Sequence, residues 1–135
     1  MTTHAETTHH QDALCAATAQ RVVHEQLGEG VRCSTFSTEV GMDEVHVVAE
    51  PPAGLSLEKS LAWLADAYGE ACQANGLSPE TLAFARVYLS DITNQSPRVR
   101  TSKLYDMLQT SVVGLVQQRP LSGSHLILHV YHVKG

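Results

Sequence analysis

The chain has 135 residues, which is enough for one domain with a single hydrophobic core. Nine lysines and arginines against fourteen aspartates and glutamates give a formal net charge of −5, so the basic surface of a nucleic-acid-binding protein is not indicated. Charged residues make up only 17% of the chain, below the roughly 25% of an average soluble domain, and we therefore expect part of its surface to be hidden against copies of itself.

The N-terminal part of the sequence divides into a polar leader and a more apolar stretch. Residues 1–11 are rich in Thr and His and are predicted to be a disordered tail, which leaves residues 12–135 as a single domain. Residues 12–27 are rich in Ala, Leu, Val and Gln and predict a helix that ends before Gly28. Two adjacent β-branched valines leave a strand over Arg21–Gln26 as the alternative.

A hairpin and a long helix follow. Val31–Thr38 and Glu44–Ala49 are short, β-rich segments joined by a Gly-containing connection, which predicts two antiparallel strands. The strongest helix pattern covers Leu55–Asn75, with Ser56 as a suitable N-cap and Gly76 as the stop. Apolar residues at helical spacing predict that one face of this helix is buried.

The second half of the chain alternates between strands and a further helix. Leu82–Ser90 has the alternating pattern of a strand. A helix is predicted over residues 96–109, because Ser96 is followed by proline, an N-cap and first-turn pair. The final two strands are predicted over Ser111–Gln118 and His125–Lys134.

This order predicts an α+β domain in which two helices pack on one face of a mixed β-sheet, preceded by an N-terminal extension. The last strand carries large side chains on both faces, with Ile127 and Tyr131 on one and Leu126 and Leu128 on the other. A strand that is apolar on both faces is buried on both, so we expect another subunit to cover the second face of the sheet.

Targeting and cofactor signals are absent from the sequence. No apolar run is long enough to span a membrane, and no secretory signal pattern is present. The three cysteines lack CxxC spacing, which indicates neither a disulfide framework nor a structural zinc site. We therefore expect a cytoplasmic protein that uses no metal or other cofactor and binds neither nucleic acid nor membrane.

Several short features, taken in order, carry a resemblance to a known family. They are the helix end Gln73-Ala74-Asn75-Gly76-Leu77, the strand and turn from Val87 through Asn94, a helix bearing Val99 and Tyr105, and a final strand pair bent at Arg119-Pro120. From about Val45 to Val133 the chain resembles the reactive-intermediate deaminase (Rid, or YjgF-like) family. The resemblance implies a chorismate-mutase-like fold, a homotrimer, and small-molecule pockets at the subunit interfaces.

The chain departs from that family at two positions. Deaminating members carry an arginine at the start of the penultimate strand, which clamps the substrate carboxylate, whereas this chain has Ser111, nine residues before Pro120. They also place a glutamate on the last strand, where it helps position the hydrolytic water, and here Ile127 or Leu126 takes that place. The resemblance thus implies the fold but does not transfer the deaminase chemistry residue by residue.

The final strands hold two polar groups suited to a ligand site. An anionic ligand in an apolar cleft needs a cation, and only Arg119 and Lys134 are permanently charged there. Lys134 lies one residue from the chain end, so Arg119 is the preferred cation, with a solvated rim charge as the alternative. His129 lies in mid-strand, where a held imidazole can move a proton; the alternative is a histidine that lines an interface.

Metal binding by the histidines is not indicated. His125 and His129 share a face but lie about 13 Å apart at roughly 3.3 Å per residue. His46, on another strand, could approach one of them, yet no third ligand has a convincing spacing.

Together these residues predict an interface pocket with His129 as the catalytic group and Tyr88, Ser111, Gln117 and Arg119 as ligand-binding groups. One hypothesis is a Rid-like protein that acts on a reactive imine, enamine or related intermediate by hydrolysis, cyclisation or condensation, in a metabolic or biosynthetic pathway. The alternative is a non-catalytic binding or regulatory trimer, which the missing arginine and glutamate favour. The acidic balance argues against a ribonuclease role, which is sometimes attached to the family.

Overall fold

The computed structural model describes residues 21–135, which form six strands and three helices. In chain order these are β1 (Arg21–Gly28), β2 (Val31–Ser37), β3 (Asp43–Ala49), α1 (Leu57–Asn75), β4 (Leu82–Leu89), α2 (Ile92–Arg100), α3 (Lys103–Leu108), β5 (Val112–Gln117) and β6 (Leu126–Lys134). The predicted disordered tail, and the predicted helix before residue 21, lie outside the described residues. None of the three helices combines the length and apolar character that crossing a membrane requires.

All six strands belong to one mixed sheet, in the order β1-β2-β3-β6-β4-β5. Neighbouring strands are antiparallel except β4 and β5, which are parallel and are connected through α2 and α3. The last strand, β6, lies between β3 and β4 near the centre of the sheet. The α+β class and the mixed sheet predicted from the sequence are therefore confirmed.

Helix α1 ends at Asn75 as predicted, and it begins at Leu57, two residues later than predicted and directly after the predicted N-cap Ser56. The Ser56 hydroxyl accepts a hydrogen bond from the Lys59 N–H over 3.1 Å, which satisfies a donor of the first turn. Gly76 takes a left-handed φ of 64°, and its N–H donates to the Cys72 carbonyl. Leu64 is completely buried against the sheet.

The helix predicted over residues 12–27 is wrong from Arg21 onward, because that part of the chain forms strand β1. Arg21 lies opposite Ser37, and the antiparallel pairing with β2 continues to the end of the strand. Backbone hydrogen bonds to β2 and the β-branched Val22 and Val23 favour the strand over the helix. The strand alternative is confirmed.

The single helix predicted from Ser96 is replaced by two shorter helices, α2 and α3. Asp91 is the N-cap of α2, so only two residues separate the end of β4 from this helix, which contains Pro97 in its interior. Proline has no N–H to donate within the helix, which weakens the turn around it. The chain then leaves the helix at Thr101, and Ser102 caps α3.

The helices pack on one face of the sheet only. Toward them point valines and leucines that are at most 1% exposed, including Val47, Val87 and Leu128. The opposite face, here called the open face, carries half-buried large side chains. These are Phe36, His46, Val48, Phe84, Tyr88, Ile127, His129 and Tyr131. The two-sided character predicted for the last strand is therefore present.

Candidate functional site

Two histidines meet at the centre of the open face. The antiparallel ladder between β3 and β6 pairs His46 with Tyr131 and Val48 with His129, so the two histidines are diagonal neighbours. His46 Nδ1 and His129 Nε2 are 3.0 Å apart, which is hydrogen-bonding distance. The expectation that His46 approaches one of the other histidines is confirmed.

Aromatic side chains surround this pair. The Phe36 ring meets His46 edge-on with the centroids 5.8 Å apart, and Phe84 meets His129 in the same way at 5.9 Å. The Tyr131 ring lies 4.7 Å from His46. Within residues 21–135, no His, Cys, Asp and Glu side chains form a group of three that could hold a metal ion. Both imidazoles therefore lie on strands of the sheet, and the surrounding rings restrict their movement.

Both imidazoles are held in the neutral form. Partial burial lowers the pKa of His46, against the opposing charge of Glu44. Partial burial also lowers the pKa of His129, and the neighbouring His46 and the Arg86 guanidinium lower it further. A neutral imidazole offers one N–H donor and one bare nitrogen, so the pair can both donate and accept a hydrogen bond at neutral pH.

A cleft with a volume of about 520 Å³ opens beside the histidine pair. Its lining residues are Glu50, Tyr88, Gln118, Arg119, Pro120, Leu121, Ser122 and Ile127. Tyr88 and Ile127 are paired across β4 and β6 and form part of its wall. His129 lies two residues from Ile127 on the same face of β6, so the cleft and the pair occupy adjoining parts of one surface.

Two of the five predicted site residues, Tyr88 and Arg119, line this cleft together, and His129 lies next to it. The other two direct their side chains elsewhere. The Ser111 hydroxyl donates to the Leu108 carbonyl over 3.1 Å, in the turn before β5. The Gln117 side chain accepts from the Ile92 N–H at 2.7 Å and also donates to the Ser90 carbonyl at 2.9 Å, which fastens β5 to the start of α2.

Glu50 is a charged cleft residue that was not predicted from the sequence. It directly follows β3, and because Ala49 pairs with Leu128, the next residue along β3 comes level with Ile127 of β6. Strand β6 has no carboxylate at Ile127, and Glu50, at the end of the neighbouring strand β3, supplies one at that level. The signal is the pairing of β3 with β6, which the spacing of residues along the chain does not reveal.

The cleft carries one cationic and one anionic side chain. Arg119 and Glu50 are not paired with each other, since the one ion pair within residues 21–135 joins Arg98 and Glu58 on the helical side. Charged groups that face a cleft without a partner are open to a ligand. The arrangement fits a small molecule that has an anionic group and a nitrogen able to donate a hydrogen bond or carry a positive charge.

No family model matches this sequence, and no curated protein matches it significantly. Solved structures do match its fold. A candidate translation initiation inhibitor from Salmonella typhimurium superimposes with a TM-score of 0.62 at 11% identity, over 84% of this chain and 97% of that chain. A YjgF-family protein from Neisseria meningitidis gives 0.59 at 12% identity, over 85% and 96% of the two chains.

An uncharacterised protein from Pseudomonas aeruginosa also matches, with a TM-score of 0.58 at 7% identity, over 85% of this chain and all of that chain (100%). At these identities the likeness concerns the fold. This chain has the YjgF-type fold, as its resemblance to that family predicts.

Proposed function

We propose that this chain, which has the YjgF-type fold, is a Rid-like protein that binds a small molecule at the interfaces of a cytoplasmic homotrimer. It would act on a reactive imine, enamine or related intermediate, by hydrolysis, cyclisation or condensation within a metabolic or biosynthetic pathway. The observation that carries the proposal is the cleft shared by Arg119, Glu50 and Tyr88 beside the His46–His129 pair.

Arg119 provides the anchor for an anionic group of the ligand. Its guanidinium can give two parallel N–H donors to a carboxylate, and the half-buried Ile127 adds an apolar wall to the cleft. The Tyr88 ring offers an apolar surface with a hydroxyl at its end. Ser111 and Gln117 remain part of the proposed pocket only if a neighbouring subunit contributes them.

The chemistry would combine the hydrogen-bond donor His129 with the carboxylate of Glu50. In imine hydrolysis, a water oxygen bonds to the imine carbon while its proton passes to a base, and a proton is added to the nitrogen. The C–N bond then breaks, so that one imine and one water give one carbonyl compound and one ammonia. Glu50 would accept each proton released by the water oxygen and pass it to the nitrogen, to which the N–H of neutral His129 would donate a hydrogen bond.

The open face supports the proposed assembly. Eight large side chains lie half-buried on it without a helix from residues 21–135 above them, while the chain as a whole is poor in charge. Burying this face between subunits would remove the apolar surface from water. The cleft adjoins the open face, so a pocket completed by a neighbouring subunit follows from the same packing.

Ammonia release from 2-aminoacrylate generated in place tests the proposal. We expect the wild-type protein to accelerate release above the uncatalysed rate, and Arg119→Ala to reduce kcat/KM. Arg100→Ala removes an exposed arginine from α2, outside the cleft, and serves as the matched control. The proposal would be contradicted if the wild-type protein neither accelerated ammonia release nor bound imino or amino acids.

A non-catalytic binding or regulatory trimer is the second candidate function. It is favoured by Ser111, which stands where the deaminating relatives carry their arginine and whose hydroxyl is bonded to the Leu108 carbonyl. Saturable binding of an amino or imino acid by the wild-type protein, lost in Arg119→Ala and not accompanied by ammonia release, would identify this function.

A further inference from the structure

We propose that His46 is a positioning residue for His129: the hydrogen bond between them ties the proton position of His129 to that of His46 and holds its ring in one orientation. His46 lines a separate groove of about 610 Å³ on the open face of β1 to β3, and not the cleft that holds Arg119. It would therefore act through His129. The inference rests on the proposed function only for the role of His129 in catalysis.

The geometry is that of an end-on hydrogen bond between imidazoles. His46 Nδ1 and His129 Nε2 are 3.0 Å apart, the ring centroids are 5.2 Å apart, and the ring planes differ by 20°. When two ring nitrogens are 3.0 Å apart, ring centroids can be 5.2 Å apart only if both nitrogens lie between the two centroids and nearly on the line that joins them. An N–H on one ring then points along the lone pair of the other, which is the favoured direction.

This bond couples the tautomers of the two rings. If His129 donates from Nε2, its Nδ1 is bare and His46 carries its own proton on Nε2. If His46 donates from Nδ1, the proton of His129 is on Nδ1. Each neutral ring has one N–H, so the proton position on one ring fixes that on the other. Without His46, the tautomer of His129 would be set by solvent and by weaker contacts.

The surroundings keep the pair neutral and in place. Phe36 and Phe84 meet the two rings edge-on from β2 and β4, as described above. Arg86 on β4 pairs in register with His129, and its guanidinium carbon lies 4.9 Å from the Phe84 ring centre, so a positive charge opposes an imidazolium.

The remaining titratable groups on this surface come from the other strands. They are Arg32 on β2, Glu44 on β3, Tyr131 on β6 next to His46, and His24 and Glu25 on β1, which line the same groove as His46. Glu44 favours a charged His46, in opposition to burial. A neutral, hydrogen-bonded pair is consistent with the partial burial of both rings and with the nearby arginines.

Nitrogen-15 NMR of the full chain, labelled at histidine, tests the inference without requiring turnover. At neutral pH we expect His129 to show one protonated and one bare nitrogen in the wild-type protein, and averaged nitrogen shifts in His46→Phe. His46→Asn places an amide where Nδ1 lies and should restore the bias. His24→Asn, which changes an exposed histidine bonded to Ser34, is the matched control.

The same variants separate this inference from the proposed function. With 2-aminoacrylate as the probe, His46→Phe should lower kcat about 10-fold with KM unchanged and shift the pH profile, and His46→Asn should recover most of the rate. An unchanged His129 tautomer in folded His46→Phe overturns the inference. If the wild type releases no ammonia but the tautomer depends on His46, the catalytic role fails while the positioning stands.

Discussion

The Nε2 atom of His132 lies 2.8 Å from the hydroxyl oxygen of Tyr68 in the core between β6 and α1. Its Nδ1 lies 2.8 Å from the hydroxyl of Thr81, which in turn donates to the Ser78 carbonyl. His132 is completely buried, and both ring nitrogens are satisfied if Tyr68 donates and the Nδ1–H binds Thr81. With Tyr68 as the donor to Nε2, the network holds a neutral imidazole.

This network predicts loss of stability in acid. Burial lowers the pKa of His132 to about 4, whereas an unfolded chain has a histidine pKa of about 6.5. The unfolded state therefore binds more protons below pH 6.5, and the free energy of unfolding should fall by up to about 3 kcal/mol between pH 6.5 and 4. Urea unfolding across this range measures the effect. A His132→Asn variant with the same pH dependence as the wild type would show that another group is responsible.

Tyr68→Phe should destabilise the protein. It removes the donor to Nε2 and leaves a buried nitrogen without a partner, at a cost of about 1–3 kcal/mol. Urea denaturation at pH 7.5 measures the loss. Tyr105→Phe is the control, because the Tyr105 hydroxyl has no hydrogen bond to residues 21–135. Equal stability of the two variants would mean that the Tyr68 contact contributes little.

The sequence patterns that predicted the fold correctly were those that depend on contacts between residues close together in the chain. Ser56 and Gly76 cap α1 through contacts three or four residues away, so its sequence is sufficient to place it. Strand β1 depends on pairing with Ser37 and its neighbours across a turn, which competes with helical composition and is not visible locally. The start of α2 at Asp91 follows from the end of β4 and not from the Ser96-Pro97 pair.

The candidate site, like the fold, could be predicted from the sequence only in part. Arg119 follows from the scarcity of charge in the final strands, Tyr88 was predicted as part of the same pocket, and both line the cleft. Glu50 and the contact of His46 with His129 depend on the register between β3 and β6, which joins residues about 80 positions apart in the chain. Register is a property of the folded sheet, so spacing alone could suggest the histidine contact but not establish it.

The protein should sediment as a homotrimer at micromolar concentration, with a mass near that of three chains of 14.6 kDa. Phe84→Glu introduces a charge on the open face and should shift the protein toward monomer, because a buried unpaired carboxylate opposes association. Gln73→Glu adds the same charge at an exposed position of α1 and should leave the mass unchanged. A wild-type monomer would contradict the proposed interface pocket.

Glu50→Gln should reduce turnover more than binding. The amide keeps the shape of the side chain but cannot accept a proton from water, so we expect kcat to fall about 100-fold. Affinity for the ligand, measured by calorimetry, should change far less. Glu29→Gln alters an exposed acid after β1 and provides the control. If Glu50→Gln retains the wild-type kcat, the proton acceptor is another group.

Arg119→Ala should weaken ligand binding without affecting assembly. Arg119 is exposed at the cleft and has no ion pair with residues 21–135, so its removal leaves no buried partner uncompensated. Loss of a charge-assisted hydrogen bond costs about 1.5–3 kcal/mol, which corresponds to a roughly 10- to 150-fold higher Kd. Calorimetric titration of an amino or imino acid measures the change, and sedimentation checks the trimer. The exposed α2 arginine removed in Arg100→Ala should be neutral in both measurements. Equal Kd values for Arg119→Ala and the wild type would place the anion-binding group outside this cleft.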